Sequence, residues 1–179
     1  MHPLEILEFP DPRLRTVASP VKTINGEIVK FTERLLFTMY GASGIGLAAT
    51  QVNFHQRIIA IDISETKDDP LILINPKITE QAGEIESNEG CLSIPGFYEP
   101  VKRFSEISIE AINPNGDIFF LEATELLAIC IQHEIDHLDG KLFVDYVSKT
   151  KRQLIRKKLK KTNSSRASVN WELSSREHL

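Results

Sequence analysis

Cysteine is scarce here: 179 residues contain two, Cys91 and Cys130. A disulfide-stapled scaffold is therefore excluded, and each thiol is read as packing or as a metal-binding thiolate. No apolar run approaches the length of a bilayer span. Met1 is followed by HPLEILEFPDPRLR, which lacks the apolar stretch and small-residue cleavage site of a secretory leader. Its early acids are also unlike a transit peptide. The expected setting is cytoplasmic, with no membrane part. Internal repeats are absent. Strong net charge is absent too, since the formal value is -4, but that figure conceals an asymmetry. Residues 149–161 hold 8 basic residues and no acid, so the rest of the chain carries 13 Lys+Arg against 25 Asp+Glu. That balance excludes a general nucleic-acid-binding surface and leaves one local basic patch.

With 41% apolar and 26% charged residues, the length suits one domain with a real core. We assign that domain to 1–161 and expect the polar 162–179 tail, which has no periodicity, to be mobile. The opening segment to about Lys22, with four prolines, is expected to run extended over the surface. Ile28, Phe31, Leu35 and Met39 recur at helical spacing and predict a helix from about Gly26 to Tyr40. RIIAIDIS and LILINPKI read as buried strands, and Gly83 to Gly96 as a turn-rich stretch. SEISIEAINPNGDIFFLEAT alternates about an Asn-Pro-Asn-Gly turn and predicts a hairpin. A second helix is expected from Thr124, as N-cap, to about Asp139, with Gly140 as its stop. Its LLAICI start is apolar on nearly every side, which places it inside the domain. SKTKRQLIRKKLKK predicts a third, basic helix. The fold class expected is α+β, with antiparallel strands packed around a central buried helix and a C-terminal helix.

That central helix carries QHEIDHLDG, and with it H-E-x-x-H. The spacing stacks His133 and His137 on one face, where two imidazoles can share a metal ion. Glu134, turned about 100° around the helix, can reach a water at the metal without ligating it. A chance occurrence on a solvated face is the competing explanation, and the buried character of the helix weighs against it. Two imidazoles do not complete a site. Asp139 is only two residues beyond His137 and faces away; Asp145 lies just past the helix stop. Cys130 is seven residues from His137, about 10 Å along the axis at 1.5 Å per residue, too far to close a tetrahedron, so it is assigned to packing. Cys91, beside Gly90 in the NEGCLSIPG loop, is assigned as the third ligand. A thiolate with two imidazoles leaves the fourth position open for water.

GIGLAATQ, Gly44 to Gln51, matches the dinucleotide-binding G-x-G-x-x-A. That fingerprint needs a strand before it and a helix after it, and here the order is reversed. Hydrolysis at a carbonyl needs a donor for the oxyanion. Gln51 can supply one, although a plain surface glutamine is the commoner case.

GIGLAATQ, EGCLS and QHEIDH, in that order, closely resemble peptide deformylase, over roughly the first 150 residues and including Arg103. The resemblance implies one metal held by Cys91, His133 and His137. Iron(II) is favoured, with zinc, nickel or cobalt as other occupants, and the thiolate makes the site oxygen-sensitive. The implied substrate is the N-formyl-methionyl end of a nascent peptide. Glu134 would act as general base, with Gln51 and the backbone N–H of Leu92 facing the oxyanion. Substrate backbone would pair along Ile45 and Gly46, close to Gly90, while Ile129 and His133 wall the methionine pocket. The chain would act as a monomer. The basic 149–161 helix is either a solvated face or a contact with ribosomal RNA. Two other readings compete, a zinc endopeptidase with a downstream acidic ligand and a non-catalytic, metal-stabilised binding module.

Overall fold

Four consecutive buried residues, Ile58–Ile61, form a strand (β2) with no polar face. Such a strand must be covered on both sides. Ile58 and Ala60 pack with Leu35 and Met39 of helix α1 (Gly26–Gly41), whereas Ile59 and Ile61 pack with Ile131 and Leu138 of helix α2 (Glu125–Leu138). The period-2 alternation of one strand thus feeds two cores. The structure, a computed structural model, describes residues 1–176, with side chains through Thr162.

β2 lies in a five-stranded antiparallel sheet of order β1-β2-β3-β6-β7, where β1 is Gly46–Ala48, β3 Leu71–Ala82, β6 Glu106–Ile112 and β7 Ile118–Thr124. The predicted β6–β7 hairpin turns at Asn113, whose side-chain oxygen accepts from the backbone N–H of Asn115 and Asp117. A second sheet pairs β4 (Ile85–Glu89) with β5 (Glu99–Arg103), and α2 carries His133 and His137 between the sheets. This is the α+β arrangement expected, with α2 buried and a C-terminal helix α3 (Lys149–Arg176). Ile155 and Leu159 of α3 sink into a core with Ile94, Val101 and Phe143. No helix among the described residues is long and apolar enough to cross a membrane. α3 runs past the expected end at 161 to Arg176, so helix replaces the start of the expected patternless tail, of whose side chains only Thr162 is described.

Four expectations need correction. The stretch from Gly83 to Gly96 is not all turn, because Ile85–Glu89 forms β4 between a short turn at Gly83 and Glu84 and the loop that follows. Thr124 precedes α2 in extended conformation but makes no side-chain cap; the Glu125 N–H is instead satisfied by the Ser105 carbonyl, at 2.9 Å. Leu126, in the LLAICI run, is 47% exposed. The opening segment is extended only in part, since Pro12–Arg15 is a 3-10 turn, and it does not simply run over the surface. Leu7, Phe9, Leu14 and Val21 are buried. Its backbone N–H groups donate from Leu7 to Gln51, from Phe9 to Ser93 and from Ala18 to Leu138. The three acceptors belong to the three motif-bearing segments, so this segment works as a strap across them.

Candidate metal centre

Helix geometry does the first part of the assembly. Four residues apart on α2, His133 and His137 bring their Nε2 atoms to 3.1 Å, a contact in which at most one nitrogen can carry a proton. β4 ends at Glu89, and the loop after it delivers Cys91 Sγ to 3.2 Å from His137 Nε2. The ligand atoms of Cys91, His133 and His137 all lie within 4.8 Å of one another. Both histidines are buried. Two imidazole nitrogens and a sulfur converging at these distances suit a divalent cation of the zinc or iron type.

The alternatives for the third ligand are engaged elsewhere. Asp139 accepts from Arg57 at 2.7 Å, and Asp145 is gripped by Arg15 at 2.5 and 3.0 Å and by the Leu142 N–H. Cys130 sits outside the group, buried among sheet side chains, and burial raises its thiol pKa well above normal.

Glu134 points towards β1. A Cβ on Gly46 would collide with Glu134 Oε1 and stand 2.8 Å from Cys130 Sγ, so only glycine lets the strand pass this close. Glu134 Oε2 is buried without a hydrogen-bond partner among the described residues, and burial raises the pKa to about 7 against the pull of neighbouring His133. A carboxylate poised there and left half unsatisfied is ready to exchange a proton with a reacting group.

Gln51 is not the surface residue that the commoner case suggested, being 1% exposed. Its Oε1 accepts the Ala48 N–H at 2.8 Å, which forces Nε2 to face Ser93 Oγ at 3.1 Å and Cys91 Sγ at 3.5 Å. The amide donor is thus aimed at the centre.

Sequence reasoning missed the groups behind the histidines. Glu89 Oε2 accepts from His133 Nδ1 at 2.8 Å, which leaves the Nε2 lone pair facing the centre. Arg103 donates twice to Glu89, at 2.7 and 2.9 Å, and once to Asp136, at 2.6 Å. The Tyr146 hydroxyl also donates to Asp136, at 2.8 Å. Burial alone would raise the Glu89 pKa, but hydrogen bonds from Arg103 and His133 hold it at about 2. The signal available was a glutamate two residues before Cys91 and an aspartate just before His137.

Above the cluster opens a cavity of about 480 Å³. Ile45, Gly46, Gln51, Gly90, Cys91, Leu92, Ile129, His133 and Glu134 all line it, and Leu126 and Tyr98 stand at its mouth. Gly90 leaves room for Tyr98, whose ring carbon would lie 2.5 Å from an added Cβ. β1 is an edge strand of the sheet. Since Ile45 C=O accepts from the Asp62 N–H, antiparallel alternation turns the backbone groups of Gly46 to the open side.

The family model for polypeptide deformylase matches residues 3–153. A peptide deformylase of Hahella chejuensis is 54% identical over 168 residues, spanning 93% of this chain and 100% of the relative. That of Hamiltonella defensa is 60% identical over 158 residues, spanning 88% and 92%. A crystal structure of a peptide deformylase from Legionella pneumophila superposes with TM-score 0.88 at 42% identity, covering 93% of this chain and 98% of the other.

Proposed function

The chain belongs to the polypeptide deformylase family, and from that premise we propose how its own residues carry the reaction. It is a metal-site hydrolase acting on formylated peptides, with a Cys91–His133–His137 group suited to a divalent cation. Iron(II) is the proposed occupant, and zinc, nickel and cobalt are compatible with the same sulfur and nitrogen donors. Once bound, the cation supplies Lewis acidity, acidifying water and polarising a carbonyl oxygen.

The proposed substrate is the N-formyl-methionine end of a newly made polypeptide. Its backbone runs along the Ile45–Gly46 segment and pairs with the open-side backbone groups of Gly46, by strand addition. The methionine side chain enters the apolar cavity against Ile129. Glu134 Oε2 takes a proton from the attacking water and passes it to the departing amine nitrogen, leaving formate and a free amino terminus. Gln51 Nε2 and the Leu92 backbone N–H donate to the developing oxyanion. Glu89 keeps the His133 ring from turning, and the surrounding apolar walls exclude bulk water. The single observation that carries this reading is the unpartnered Glu134 oxygen beside the converged Cys91, His133 and His137. Protein prepared and loaded with iron(II) without oxygen should release formate from a formyl-Met peptide and leave the acetyl-Met peptide intact. A formate assay that finds no release would end the proposal.

The proposed setting is cytoplasmic and the proposed state monomeric, with the basic 149–161 part of α3 as a contact to ribosomal RNA. Much of its basic side, including Arg156 and Lys157, is exposed, whereas Ile155 and Leu159 are core. The contact is therefore tested by neutralising charges, since truncation would strip the core. Arg156→Gln with Lys157→Gln should weaken ribosome co-sedimentation and flatten its salt dependence. Unchanged sedimentation across salt would remove the ribosome from the proposal.

A further inference from the structure

The β4–β5 register places Glu89 directly opposite Glu99. Both side chains face inward, and the residues are only 6% and 7% exposed. Two carboxylates paired across a ladder and withdrawn from water repel each other. Each has found a cation, from different parts of the chain. Glu89 is held by Arg103 and His133. Glu99 is paired among the described residues with Lys151, from the first turns of α3.

We propose that Lys151 is a positioning residue for the metal-binding side chains, acting through Glu99 on the Glu89 carboxylate that orients His133. The inference rests on the metal site argued above and adds a helix that site does not otherwise involve. Without the ammonium, Glu99 is a bare buried charge beside Glu89. It pushes on that carboxylate and competes for the Arg103 guanidinium on its own strand. Either effect loosens the hydrogen bond to His133 Nδ1, and with it the direction of Nε2. The seating of α3 does not depend on Lys151. Ile155 and Leu159 pack against Ile94 and Val101, and Lys158 lies over the Phe97 ring at 5.9 Å. The Lys151 side chain is itself 52% exposed, so its removal opens no cavity.

The test is a cobalt(II) titration of the full chain against a competing chelator, reading the thiolate-to-cobalt absorption band. Lys151→Ala should bind cobalt about tenfold more weakly, the lower end of what loss of an outer partner costs. Lys151→Arg should restore the affinity. Glu99→Gln alone should leave it unchanged, and Lys151→Ala with Glu99→Gln should return it to the wild-type value, because the offending charge is gone. Without metal, Lys151→Ala should melt somewhat lower because Glu99 is left unpaired, the double variant should recover, and every variant should still unfold cooperatively. Were the double variant as weak as Lys151→Ala, or were Lys151→Ala as tight as wild type, the inference would be overturned. Failure of the wild-type chain to take up cobalt would instead sink the metal reading, and this inference with it.

Discussion

Replacing Glu134 with glutamine should leave the metal in place and lower kcat by about three to four orders of magnitude, the upper range for losing a positioned general base. Glutamine has the same shape, so the close approach of Gly46 survives and no void forms. What it cannot do is accept a proton. Without a cation, burial pushes the native Glu134 carboxyl up to about 7, and as an ionised carboxylate beside a bound cation it can take a proton from water. Since His133 and His137 keep their ligating atoms, metal content should equal that of wild type, and KM should stay within a small factor. Single-turnover formate release together with metal analysis separates the outcomes. Retained turnover would take the general-base role from Glu134; lost metal would make Glu134 a ligand; and no formate release from the wild-type chain would favour a non-catalytic, metal-stabilised module.

The second large effect is at Cys91. Cys91→Ala removes the one charged ligand and leaves two neutral imidazoles. A fully coordinated site of this donor type contributes roughly 10–16 kcal/mol, so one ligand's share of about 3 kcal/mol corresponds to about two orders of magnitude in affinity. The cobalt–thiolate band should vanish, and metal-dependent thermal protection should shrink with the weaker binding. Cys130→Ala should leave the band intact, since that sulfur lies outside the ligand group. Retention of the band in Cys91→Ala would return the third ligand to an acid downstream, the zinc-endopeptidase alternative.

Long, strongly patterned elements were legible before any coordinates. α2 could be bounded from Thr124 to Gly140, and the β6–β7 hairpin from its alternation and turn. The Cys91, His133 and His137 ligands followed from helical spacing and elimination. Short or mixed elements were not legible. β1 is three residues beginning with glycine, and β4 is IESNE, whose inward glutamate looks polar until Arg103 is brought to it. Charged residues normally signal solvent, so the chain from His133 through Glu89 and Arg103 to Asp136 and Tyr146 had no local signature. Its members come from two strands, one helix and the turn after it. Gln51 misled for a related reason: half of its anchor, the Ala48 N–H, is local, and the other half, Ser93, is remote. The strap was missed because prolines suggested exposure, while the buried Leu7 and Phe9 lie too far apart to make a pattern.

That strap has a bearing on when the molecule becomes competent. Its donors at Leu7, Phe9 and Ala18 precede their acceptors at Gln51, Ser93 and Leu138 by 44, 84 and 120 residues. Pairing over such spans is slow. A chain cut before Leu138 loses the last of these acceptors, so the strap cannot close across all three motif-bearing segments.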